Sequence, residues 1–151
     1  MNGKPSLMDL ALAEAAAAGA RGEVPVGALL VDGATGQVLA RSGNRVEELK
    51  DPTAHAELLA IRAASTSAGV KRLEGADLYV TLEPCAMCAA AISFARLRRL
   101  YFGASDPKGG AVEHGPRFFA QATCHHRPEV YGGIGERRAG ELLRVFFRAR
   151  R

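Results

Sequence analysis

The chain of 151 residues has no tryptophan and only three cysteines. Three thiols cannot build a disulfide framework, and an odd number leaves one unpaired. That usage points to a reducing compartment, so a cytoplasmic location is expected. Aromatic residues make up only 6% of the chain. Long apolar runs are missing too, so no membrane partner is expected. The stretch "LALAEAAAAGA" at 10–20 has the composition of a signal-peptide core. Glu14 interrupts it, Asp9 precedes it and only Lys4 supplies an early positive charge, so it reads as a helix rather than a leader. No repeat, low-complexity tail or interdomain linker stands out. Residues 1–151 therefore read as one domain, long enough to bury a core.

The composition that remains is globular, with 48% hydrophobic and 24% charged residues. The net charge is +4 and the sequence pI about 9.3. A basic balance fits an anionic partner, nucleic acid first, without establishing one.

The order of elements follows from periodicity and punctuation. Residues 7–20 are Ala- and Leu-rich at helical spacing and stop at Gly19 and Gly22. "VPVGALLVD" (24–32) reads as a buried strand, "GATG" as a turn and "QVLARSGNRV" (37–46) as the return strand. After "DPT", Thr53 is expected to cap a helix over 54–67. A strand at 76–82, a helix over 85–95 opened by Pro84 and a strand at 99–105 follow. Residues 129–134 read as a short strand or loop, and 136–149 as an amphipathic helix. Alternating helices and strands imply α/β layers around a central sheet.

Two of the three cysteines, Cys85 and Cys88, fall three apart at the start of a helix, in "PCAMC". Residues at that spacing share a face, and the helix N-terminus favours thiolate over thiol. His55 and Glu57, in "TAHAE", occupy a second helix start. Two helix N-termini aimed at one point would supply His55, Cys85 and Cys88 as zinc ligands. Three protein ligands leave a fourth position for water, the pattern of a catalytic site. Glu57 is then free to move protons beside the metal.

Other readings of these residues exist. A Cys-x-x-Cys pair serves thiol redox proteins, although Ala-Met between the cysteines departs from the usual redox motif. A closed structural zinc site would recruit Cys124, His125 or His126 as a fourth ligand.

"HAE" followed by "PCAMC" resembles the His-x-Glu and Pro-Cys-x-x-Cys signature of zinc-dependent nucleoside deaminases. "EVPVGALLVD", "GNRV", "DPTAHAELLAIR", "LYVTLEPCAMCAAAI", "FGASDPKGGA" and "LLRVFFRARR" resemble the bacterial tRNA-specific adenosine deaminases, nearly end to end. The resemblance implies a cytidine deaminase-like, three-layer α/β/α sandwich around a five-stranded mixed sheet. It implies one zinc ion per subunit, a homodimer, and hydrolytic deamination of adenosine to inosine at the wobble position of a tRNA anticodon. It matches His55, Cys85 and Cys88 to metal ligands and Glu57 to the proton shuttle. Asn44 matches a contact to the substrate base, and Asp106 and Lys108 a loop against the anticodon. Phe147, Arg148 and Arg150 match a terminal helix that reaches the RNA.

For Asn44, Asp106 and Lys108 the assignment rests mainly on resemblance, since turn and solvated-loop roles suit them equally. The terminal arginines also suit a solvated basic face. The segment "GAVEHGPRFFAQATC" (110–124) departs from the better-known members, so contacts made there are not carried over. A deaminase of free cytosine, guanine or adenosine would share the metal site without needing the arginine-rich end.

Overall fold

The computed structural model describes residues 6–150; Lys4, named above, and Arg151, the last residue of "LLRVFFRARR", lie outside that range. The apolar strand β1 (Gly27–Asp32) sits inside the sheet. It pairs antiparallel with β2 (Val38–Gly43) on one side and β3 (Ala76–Leu82) on the other. Strand β4 (Arg99–Ala104) runs parallel to β3, and β5 (Glu129–Tyr131) parallel to β4. The order is β2-β1-β3-β4-β5, a five-stranded mixed sheet.

Alternation along the central strands splits the core in two. Leu30, Leu78, Val80 and Phe102 point to one face, where they meet α3 (Ala56–Ala68) and α4 (Ala86–Phe94). Leu29, Val31 and Tyr79 point to the other, under α1 (Leu7–Ala20) and α5 (Glu136–Arg148). The result is the expected three-layer α/β/α sandwich. Helix α1 lies so near β1 that a Cβ on Gly27 would come within 2.0 Å of the Ala11 carbonyl oxygen. No helix among the described residues is long and apolar enough to cross a membrane.

Several boundaries differ from the sequence reading. The first strand begins at Gly27, not at 24, and the last covers only Glu129–Tyr131. The return strand ends at Gly43, and Val46–Leu49 forms a short helix, α2. The cause is Glu23, whose carboxylate accepts from the Glu47 and Glu48 N–H groups at 3.0 and 2.8 Å. Thr53 does not cap α3. Its N–H and hydroxyl both donate to Asp51 at 2.8 and 2.7 Å, and the helix opens instead at His55. A one-turn 3₁₀ helix, Phe118–Ala120, lies within the divergent segment.

Candidate metal centre and cleft

The N-cap of α3 is His55 and the N-cap of α4 is Cys85, both with extended backbone; the His55 side chain makes no bond to its own helix, and the Cys85 sulfur meets its own helix only at Cys88. Because β3 and β1 are neighbours in the sheet, the two helices lie side by side on one face and their first turns meet. The His55 Nδ1 atom is 3.6 Å from Cys85 Sγ and 3.6 Å from Cys88 Sγ. All three ligand atoms lie within 4.8 Å of one another. Tetrahedral zinc, with Zn–S about 2.3 Å and Zn–N about 2.0 Å, places sulfur and nitrogen about 3.6 Å apart. The donor set and its spacing therefore fit zinc.

Electrostatics at the three atoms agree. Hydrogen bonding from Cys88, together with His55, pulls the Cys85 thiol down to about 4. The same contact with Cys85, together with burial, pushes the Cys88 thiol up. The two sulfurs behave as one acid sharing a proton, which a divalent cation would displace. The bond from His55 to Cys85 raises the imidazole, against its burial.

Glu57 lies in the first turn of α3 and is buried. Burial pushes its carboxyl up to about 7, against its own backbone N–H and the His55 ring. It lines a cavity of about 660 Å³ with His55, Cys85, Asn44, Asp106 and Arg150. Among the described residues no fourth His, Cys, Asp or Glu joins the three ligands. Cys124 bonds Ser93 and the His126 carbonyl at the far end of α4, and the His126 ring meets the Leu97 carbonyl oxygen. Helix α4 spans nine residues, about 13 Å, so those groups stand a full helix length away.

The model of the cytidine and deoxycytidylate deaminase zinc-binding region matches residues 1–104. A tRNA-specific adenosine deaminase from Agrobacterium fabrum is 65% identical over 144 residues, 95% of this chain and 93% of the relative. One from Rickettsia bellii is 47% identical, covering 91% of this chain and 95% of its own. A solved structure from work on A-to-I editing by tRNA:A34 deaminases superposes with a TM-score of 0.88. It is 65% identical and covers 90% of this chain and 97% of its own. The chain belongs to the tRNA-specific adenosine deaminase family.

In this deaminase the other sequence-predicted residues separate into two groups. Asn44, Asp106 and Arg150 face the cavity. The Asn44 side-chain oxygen accepts from the Ala56 N–H at 2.8 Å, so it also holds the start of α3. Asp106 Oδ1 accepts from the Lys108 and Gly109 N–H groups at 3.2 and 3.0 Å. Arg150 stacks on the Phe146 ring, 3.5 Å from its centroid. Lys108, Phe147 and Arg148 are exposed and stand outside the cavity wall.

Among the cavity residues that sequence reasoning missed are Phe146, Glu23 and Glu83, the last through its backbone, since its side chain is wholly buried. Phe146 is four residues from Leu142, the spacing of one helix face, and it turns inward while Phe147 turns out. The two glutamates flank apolar strands in "GEVPVG" and "TLEPC", where a carboxylate costs free energy unless it holds something. Burial raises the Glu83 carboxyl, but N–H groups of the 106–113 stretch and the His114 ring outweigh it and hold it below the ordinary range.

Proposed function

We propose that the protein hydrolyses the 6-amino group of adenosine at the wobble position of a tRNA anticodon, giving inosine and ammonia. The observation that carries this reading is the convergence of one imidazole and two sulfurs on a zinc-sized point beside a buried carboxylate. Its placement in a chain 65% identical to a tRNA-specific adenosine deaminase names the substrate.

His55, Cys85 and Cys88 would hold the zinc, which when bound supplies a Lewis acid that brings the acidity of water towards neutral pH. The chain's own groups do the rest. Glu57 accepts the proton lost as water adds to C6 of the adenine, and returns it to N1. It then takes the remaining proton from the new C6 hydroxyl and delivers it to the amine, so that the C6–N bond breaks as the C6 carbonyl forms and ammonia leaves. Its burial matches a group that must be a base in one step and an acid in the next. Asn44 orients the base, and the cavity's walls exclude solvent. The target adenine must leave its stack to enter, as base-modifying enzymes require. Asp106 and Lys108 would lie along the flanking nucleotides. Phe147, Arg148 and Arg150 would track the phosphates and stack at the cleft's mouth. Residues 1–151 would act as one catalytic domain in a cytoplasmic homodimer.

The test is inosine formation, read by sequencing after incubation with a tRNA pool and, separately, with free adenosine. Inosine confined to the wobble position, with one zinc per chain, is the expected result. Turnover of free adenosine, cytosine or guanine alone would make the protein a free-base or nucleoside deaminase instead. Glu57→Ala should retain zinc and lose at least about a hundredfold in kcat, the range of general acid–base catalysis.

A further inference from the structure

Glu83 directly follows β3 and stands two residues before Cys85. Its side chain is wholly buried, and the chemistry above gives it no task. A buried carboxylate persists only where partners compensate its lost hydration. Here the partners all come from one loop. Oε1 accepts from the Asp106 N–H at 3.0 Å and lies 2.8 Å from the His114 Nδ1. Oε2 accepts from the N–H groups of Val112, Glu113 and His114 at 3.1, 2.9 and 3.1 Å. Three successive backbone N–H groups closing on one oxygen form an anion nest, filled by the protein's own carboxylate. Gly110 passes so near that a Cβ there would sit 2.5 Å from Oε2.

The stretch from Ser105 to His114 has no strand or helix to fix its path. Four further backbone bonds involve it: Gly110 donates to the Asp106 carbonyl, Arg117 to the His114 carbonyl, Ala111 to the Pro84 carbonyl and Phe118 to the Ala111 carbonyl. The same stretch carries Asp106 and Gly109 into the cleft wall. We propose that Glu83 is a positioning residue for substrate binding: its carboxylate fixes the 105–114 loop as one wall of the cleft and so sets affinity for the nucleotides flanking the target base. The inference rests on the tRNA reading above. Glu83 does not touch substrate, because no part of its side chain is exposed. A loop freed from the carboxylate must be ordered anew at each binding event, which weakens binding and leaves the reacting groups on α3 and α4 in place.

Glu83→Gln keeps the shape but turns one acceptor oxygen into a donor facing other donors. Two measurements follow. Without substrate, hydrogen–deuterium exchange at amides 106 and 112–114 should accelerate at least tenfold. With an anticodon stem-loop, KM should rise about tenfold or more while kcat stays within about threefold and zinc remains one per chain. His114→Ala, which removes only a half-exposed ring contact, should shift both readouts in the same direction by a smaller factor, and serves if Glu83→Gln does not fold. Unchanged exchange would overturn the anchoring. Faster exchange with an unchanged KM would overturn the link to affinity. Loss of zinc, or a fall in kcat alone, would assign the residue to the metal centre instead. Failure of the unaltered protein to form inosine in tRNA would sink the functional reading, and the exchange measurement would still decide the anchoring.

Discussion

Asn44 offers a test that separates folding from substrate contact. Its side-chain oxygen accepts from the Ala56 N–H at 2.8 Å, and the residue is only 8% exposed. Asn44→Ala leaves that N–H buried without a partner, which costs about 1–3 kcal/mol. Taking about 2 kcal/mol, and 2–4 °C per kcal/mol for a chain of this size, the midpoint should fall by about 4–8 °C. Asn44→Asp keeps an acceptor at the same place and puts a negative charge at a helix start, worth about 0.3–1 kcal/mol before burial is charged against it. Its stability should stay within about 1 kcal/mol of the parent. What Asn44→Asp loses is the amide donor facing the cleft. If that donor orients the base, kcat/KM should fall at least about tenfold, one hydrogen bond's worth of discrimination. Calorimetry and stem-loop deamination on the two variants give the answer. An Asn44→Ala protein that melts with the parent would refute the capping argument. An Asn44→Asp protein of parental activity would refute the base contact.

Arg150→Ala should raise KM for a stem-loop three- to tenfold and reduce the slope of log affinity against log salt by about one, since one phosphate contact is lost. Unchanged salt dependence would leave Arg150 as a lid on Phe146 only. Gly27→Ala should destabilise the fold by about 3 kcal/mol in urea titration, because the new Cβ would meet the Ala11 carbonyl oxygen at 2.0 Å and push α1 off the sheet. A loss below about 0.5 kcal/mol would mean that α1 shifts freely, against the close packing of its buried face.

The layered fold was legible because its signals are local. Residues 24–32 are apolar and bounded by turn formers, and the structure keeps their last six as β1. The metal ligands were legible because a histidine and a cysteine pair each sit at a helix start, a position that topology can bring together. What stayed hidden depends on distant partners. No pattern near Val46 announces α2, because its N–H groups are held by Glu23, more than twenty residues earlier in the chain. Glu83 likewise reads as a charge ending a strand until the 105–114 loop folds over it. The two phenylalanines that open "FFRARR" look alike in sequence, but helical phase turns Phe146 in at 9% exposure and leaves Phe147 out at 48%.

The misplaced cap at Thr53 shows what the site requires of the fold. A residue that caps a helix normally turns its side chain back onto its own first turn and gains about 1 kcal/mol. His55 holds the cap position of α3 without doing so, and Cys85, at the cap of α4, meets its own helix only at Cys88, the other sulfur ligand. Their side chains are thereby free to face each other across the helix starts, which a serine or aspartate bonded to its own helix would not be. The missing bond on α3 is supplied from outside, by Asn44, so the residue that steadies the histidine ligand also faces the cleft. Metal geometry and substrate geometry thus share one support. A change at Asn44 should reach both the helix that presents His55 and Glu57 and the surface that meets the base, whereas a change at Glu83 should reach only the wall formed by the 105–114 loop.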